Sequence, residues 1–155
     1  MDGCSRGNPK IAAADGILCN HQGDFLAAFG SFLSCQPTLY AKLMVVCKRL
    51  ELATHLGYSA LEVESDSAMV VSWIHSLGLV RWDYVYLLRR VCALISSSHI
   101  FIRHVLREAT YATDFMANWT FSHRVSRRFL CARDLTMGLS GILYLDAQTF
   151  PHIRR

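Results

Sequence analysis

Three aspartates of this chain stand where one secondary-structure element hands over to the next. Asp2 precedes Gly3 ahead of a hairpin pattern, Asp66 follows the alternating stretch "LEVES", and Asp114 lies in "TYATDFMA" after the last strand pattern. In open α/β sheets chemistry gathers beyond the carboxyl ends of the strands, so carboxylates in these places are candidates for work on a bound ligand. Each also has a structural role open to it. Asp66 can cap the helix that follows, Asp114 can be a first-turn acid favoured by the helix dipole, and Asp2 can serve as the turn residue of an Asp-Gly pair. A fourth position carries the opposite charge. Lys42, in "TLYAKLMVVCKRLELA", lies on the shoulder of an apolar stripe formed by Leu39, Leu43, Val46, Leu50 and Ala53. A lysine on such a shoulder ordinarily extends its ammonium to water.

The elements that must position these residues follow from the hydrophobic periodicity. In "KIAAADGILCNHQGDFLAAFGSFL" two apolar runs flank the turn-rich "NHQGD", which predicts a β-hairpin over residues 11–33. Thr38 is the expected N-cap of the helix carrying Lys42. In "YSALEVESDS", Leu61 and Val63 alternate with Glu62, Glu64 and Asp66, the period of a short strand ending near Ser65. "SAMVVSWIHSL" follows as a helix. After Gly78, "RWDYVYLLRRVCALI" repeats Trp82, Val85, Leu88, Cys92 and Ile95 on one helical face. "SHIFIRHVLRE" alternates Ile100, Ile102 and His104 with Phe101, Arg103 and Val105 as a last strand, and "TYATDFMANWTF" is a final helix. Trp73, Trp82 and Trp119 fall at helical core spacings and read as packing residues. This order predicts an α/β class with a mixed sheet flanked by helices. Residues 1–121 form the expected domain, and 122–155 a basic, weakly periodic C-terminal extension whose end, "GILYLDAQTFPHIRR", suits a short strand or loose peptide.

Composition sets the outer bounds. At 155 residues, 52 % hydrophobic and 18 % charged, the chain can bury a core of its own, and neither disorder nor a repeat array is suggested. A net charge of +4 without a long Lys/Arg run biases the chain mildly toward polyanions. The six cysteines, Cys4, Cys19, Cys35, Cys47, Cys92 and Cys131, include no C-x-x-C pair. That spacing argues against a zinc ribbon and a disulfide framework and for reduced, mostly buried thiols in an intracellular protein. No apolar run approaches the roughly 18 residues of a membrane span, and no secretory signal pattern opens the chain. Nucleus and cytoplasm both suit such a protein.

Several blocks in one order resemble the ribonuclease H family, and more closely the ribonuclease H-type domains of plant genomes related to non-LTR retroelement reverse transcriptases. The blocks are "DGCSRGNP", "GILCNHQGDFLAAF", "AKLMVVCKRLELATHLGY", "LEVESDSAMVVSWI" and "RHVLREATYATDFMA", and "LDAQTFPHIRR" resembles the family's closing segment. The resemblance runs from Asp2 to the C-terminus. It implies a ribonuclease H-like fold with a mixed five-stranded sheet, a monomer whose partner is an RNA–DNA hybrid, and no membrane association.

By the same resemblance the activity is endonucleolytic hydrolysis of the RNA strand with two Mg²⁺ ions, which prefer hard oxygen ligands. Asp2 would bridge the ions, Asp66 would ligate one, and Asp114 would complete the second. The family's fourth acid is the glutamate of an A-E-L motif, and here that position is Lys42. An ammonium there would oppose metal loading, or would pair with Asp2 or Asp66 in place of a metal. Glu64 is the nearest acid in sequence that could substitute.

Other departures from the family pattern accompany Lys42. Cys4 stands for a serine, and Thr110 and Thr113 stand for an asparagine and an alanine. The apolar residues expected before the first aspartate are missing, so the first strand reads as truncated. His104 is the nearest counterpart of the family's histidine loop, and it equally suits a strand residue. Two functions of different class follow: a hybrid-directed ribonuclease impaired at Lys42, or a catalytically inactive retroelement relic that binds nucleic acid through Arg103, Arg107, Arg124, Arg127 and Arg128. Cations of that kind would bind phosphates without regard to sequence.

Overall fold

The hairpin forms as the alternation requires. In the computed structural model, which describes residues 3–5, 10–76, 80–105, 111–135, 137–138 and 140–142, strand β2 (Lys10–Cys19) pairs antiparallel with β3 (Phe25–Gln36). Their turn is held by the Asn20 carboxamide, whose Oδ1 accepts the backbone N–H groups of Gln22 and Asp24 at 2.9 and 2.8 Å. Gly23 supplies the left-handed residue, with φ of 89°. Strand β1 (Gly3–Ser5) pairs antiparallel with β2, and a short strand β6 (Arg127–Phe129) pairs antiparallel with β3. The order of this sheet is β1-β2-β3-β6. Strands β4 (Ala60–Ser65) and β5 (His99–His104) pair in parallel. Parallel neighbours need a crossover, and helices α2 (Ala68–Ser76) and α3 (Trp82–Ser96) provide it. The α/β class expected from the sequence is therefore observed, while among the described residues the single mixed five-stranded sheet is replaced by a four-stranded antiparallel sheet that gains β6 and a two-stranded parallel sheet, no hydrogen-bonded ladder joining the two.

Helix α1 (Thr38–His55) is wedged between two parts of the core. Leu43, Val46 and Leu50 pack with Val63, Val70, Leu88, Val91 and Ile102, while Val45, Leu52 and Ala53 pack with Ala14 and Phe29. Its start differs from expectation. Pro37, not Thr38, is the N-cap, extended at φ −62° and ψ 148° with no side-chain cap bond. The proline ring presets that φ, and the Pro37 carbonyl accepts the Ala41 N–H at 3.0 Å.

Helix α3 is rotated from the expected face. Tyr84, Leu87, Leu88 and Val91 are its buried residues, whereas Trp82 is 86 % exposed and is not a packing residue. The rotation is set by aromatic partners distant in sequence. Tyr84 stacks on Trp73 at 5.5 Å and meets Tyr40 at 6.1 Å between ring centroids. Trp73 and Trp119 do pack, the latter edge-on against Phe129.

On the other face of the hairpin, helix α4 (Tyr111–His123) lies close to Gly30. A Cβ on Gly30 would sit 2.1 Å from the Thr120 hydroxyl oxygen, and Thr120 is fully buried on a short branched side chain that cannot swing away. Gly30→Ala is therefore expected to destabilise the fold by about 1–3 kcal/mol, read as a lower thermal midpoint. The same helix continues through residues 121 and 122 to His123, and Phe129 of β6 is buried against Ala28 and Met116.

Cys35, Cys47, Cys92 and Cys131 are free thiols, and the cysteines are not mostly buried as expected, since Cys19, Cys35 and Cys131 are exposed. They lie at a strand end, near a hairpin end and in a loop, where no layer covers them. Cys47 is the buried exception. Burial pushes its thiol up to about 12 from 9.0, and the Glu51 carboxylate, which accepts its S–H, adds to the rise. Alkylation at pH 8 is thus expected to label Cys19, Cys35 and Cys131 and to spare Cys47 until the chain is unfolded, checked by mass spectrometry. The stability this thiol contributes is complete below pH 9 and is lost as pH rises toward 12, because the unfolded thiol ionises first.

Candidate functional site

Asp66 leaves the carboxyl end of β4 with its side chain free of capping duty. The cap of α2 is Ser67, whose Oγ accepts the Val70 N–H at 3.3 Å, while the Ser65 Oγ accepts the Ser67 N–H at 3.2 Å. The Asp66 carboxylate instead meets Lys42. Lys42 Nζ donates to Asp66 Oδ2 at 2.9 Å, and the two side chains are only 22 % and 10 % exposed. The shoulder of α1 thus faces the end of β4, as the packing of Leu43 and Val46 against Val63 requires. A charge-assisted hydrogen bond of this kind stabilises by about 1.5–3 kcal/mol.

Glu64 does not join this pair. In the parallel register it stands opposite Arg103, whose guanidinium binds both Glu64 and Glu62. This ladder of one cation between two acids occupies the nearest acid in sequence that could have replaced the missing glutamate. His104 is exposed at the end of β5, opposite Ser65 in register. Asp2 and Arg107 lie outside the described residues. Asp114 belongs to α4, but its side chain lies outside the described residues as well.

Among the described residues no three His, Cys, Asp or Glu side chains converge. The carboxylate that is in place carries an ammonium at 2.9 Å, where a divalent ion would need an open oxygen. The described residues by themselves do not make up a two-ion centre, Asp2 and the Asp114 side chain lying outside them.

Arg124, Arg127 and Arg128 are exposed where the chain leaves α4 and enters β6. Arg124 has a left-handed backbone, with φ of 51°. Arg127 lies over the Phe129 ring, 5.1 Å from its centroid. A notch of about 210 Å³ opens beside them, lined by Gly30, Ser31, Lys48, Ser126, Arg127 and Arg128. Lys48 and Ser31 were not singled out by the sequence. The β3–β6 pairing that brings them to the arginines joins residues almost a hundred apart, and no local pattern encodes it.

Comparison with known proteins gives the same fold. The model of the reverse transcriptase-like family matches residues 1–120. An Arabidopsis thaliana protein named "Putative ribonuclease H protein" is 31 % identical over 123 residues, which are 78 % of this chain and 20 % of that protein. The chain thus spans about one fifth of the length of this relative. Among solved structures, RNase H1 of the halophilic archaeon Halobacterium salinarum is 26 % identical with a TM-score of 0.71, covering 79 % of this chain and 94 % of that one. The N-terminal RNase H domain of a Mycobacterium tuberculosis protein is 25 % identical with the same TM-score, covering 79 % and 90 %. LC11-RNase H1 in complex with an RNA/DNA hybrid, at 18 % identity, a TM-score of 0.70 and coverage of 79 % and 94 %, shares the fold. By the family match over most of its length and by its architecture, the chain belongs to the reverse transcriptase-like family and carries the ribonuclease H fold.

Proposed function

We propose that this chain is a ribonuclease H-type domain that binds RNA–DNA hybrids and whose hydrolysis of the RNA strand is impaired by the Lys42–Asp66 ion pair. The observation that carries this reading is the pair itself. It satisfies the Asp66 carboxylate with a side chain of the chain's own, at 2.9 Å and largely shielded from water. The two Mg²⁺ ions implied by the family resemblance would have to displace that ammonium. Near 4 Å, at an effective dielectric of about 20, each unit charge is worth about 4 kcal/mol. Asp2 and Asp114 complete the proposed acidic set, and the nucleic-acid contacts are assigned to Arg107, Arg124, Arg127 and Arg128. Arg103 contributes less, because Glu62 and Glu64 already hold it.

The names of the Arabidopsis, archaeal and mycobacterial proteins support hybrid-directed chemistry as the ancestral activity. The positive charge of the chain supports retention of binding. The test is fluorescence anisotropy of a labelled RNA–DNA hybrid and of DNA duplex in EDTA, followed by cleavage of the hybrid after Mg²⁺ addition. Binding with a preference for the hybrid and little cleavage is the expected result. Absence of binding, or cleavage that is fast and indifferent to Lys42, overturns the reading. Melting of the unaltered chain is likewise expected to be the same in Mg²⁺ and in EDTA, since a ligand raises the midpoint only if the native state binds it.

A further inference from the structure

We propose that the notch at the outer edge of β3 is a built site for one backbone phosphate of the bound nucleic acid, held by Lys48 and Arg128 with Arg127 at its rim. The proposal rests on the nucleic-acid-binding reading above and assigns a specific phosphate position within it. In an antiparallel ladder, residues directly opposite share a face. Arg128 is opposite Phe29, whose side chain packs toward α1, so Arg128 projects on the α1 side of the sheet. Ser31 lies two residues along β3 on that same face. Lys48 comes to the notch from α1 itself, so cations from two separate elements line it together with Ser31 and Ser126. Arg127 is opposite Gly30 and closes the other side.

The notch is anchored as well as charged. Ser126 Oγ accepts the Phe32 N–H at 3.0 Å, which ties the segment before β6 to the edge of β3. Among the described residues no acid lines the notch. Glu51, the nearest acid to Lys48 on the helix at 3.7 Å, is itself bound by Arg90 at 2.7 Å. Asp134 is engaged chiefly by Cys131 and by the backbone N–H of Leu130, and the nearby Arg127 charge also helps hold its carboxyl below the usual range, so Arg127 at the rim is partly offset while Lys48 and Arg128 carry the notch. Volume selects the ligand. At ~30 Å³ per water the notch has room for a phosphate with part of its hydration, and it is smaller than the roughly 300–1,000 Å³ of pockets that enclose a whole small molecule. A guanidinium presents paired donors to phosphate oxygens, and a lysine adds a point charge.

The experiment measures anisotropy of the hybrid, of DNA duplex and of RNA duplex in EDTA across a series of salt concentrations. It uses the unaltered chain, the Lys48→Gln/Arg128→Gln double variant, and an Arg89→Gln/Arg133→Gln double variant that removes the same charge from exposed positions elsewhere. The notch variant is expected to weaken binding to all three nucleic acids by roughly three- to tenfold and to reduce the salt slope by about one, because a phosphate contact is blind to sequence and sugar. The control is expected to keep the slope. Equal effects of the two variants would mean diffuse attraction only and would overturn the notch while leaving nucleic-acid binding intact. Loss confined to one of the three nucleic acids would also overturn it, because sugar or groove shape would then be what is read. Failure of the unaltered chain to bind any of them would overturn the underlying reading together with the notch. Circular dichroism establishes that each variant is folded.

Discussion

Lys42→Glu is expected to give the chain a response to Mg²⁺ that is not expected of the unaltered protein. In EDTA the variant loses the Lys42–Asp66 bond and sets two carboxylates at the end of β4, so its stability falls by about 1.5–3 kcal/mol. Added Mg²⁺ then binds the native state preferentially, and at a hundredfold excess over its dissociation constant returns about 2.7 kcal/mol. The two melting curves should therefore separate in EDTA and converge in Mg²⁺. Cleavage of a labelled hybrid should rise by two to three orders of magnitude over the unaltered chain, if about 4 kcal/mol of opposing charge interaction is removed and tenfold corresponds to about 1.4 kcal/mol. A variant whose melting responds to Mg²⁺ but which stays silent on hybrid would locate a second lesion among Asp2, Asp114 and the "TYATD" segment. An unaltered chain that cuts as fast as the variant would show that the ion pair is no obstacle.

The second large effect is on stability, from a residue far from the site. Phe129→Ala is expected to cost about 3–5 kcal/mol, a large part of the 5–15 kcal/mol that holds a typical domain together. Phe129 is 1 % exposed, packs on Ala28 and Met116, and receives the edge of Trp119 at 5.7 Å. Its neighbour Leu130 is 46 % exposed, so Leu130→Ala should change stability by less than about 0.5 kcal/mol. The contrast is read from urea midpoints at constant slope. If the two substitutions behave alike, β6 contributes nothing to the core.

The hairpin, the four helices and the β4 and β5 strands were legible in the sequence, because each is written in local periodicity and turn chemistry. Two apolar runs flank "NHQGD", steps of three and four repeat through 39–53, and Leu61 and Val63 alternate with acids. The resemblance to the family also set Lys42 at the position of the A-E-L glutamate, and the structure places it against Asp66. What the sequence left open was what each polar side chain meets. The Asp66 carboxylate was open to a cap, a metal or an ion pair, and in the structure Ser67 takes the cap while the packing of α1 brings Lys42 within 2.9 Å of it. Glu64 read as a spare acid until the β4–β5 register set Arg103 across from it. Trp82 had the spacing of a core residue, yet Tyr84 won the buried face because Trp73 and Tyr40, distant in sequence, offer it aromatic surfaces. Phe129 lay in a basic stretch of weak periodicity. Three residues carry too little pattern to announce a strand, and only the unpaired edge of β3 makes them one. Element type is a local property of hydrophobic pattern and backbone preference, whereas pairing, register and the partner of a charge depend on which surfaces meet when the elements pack.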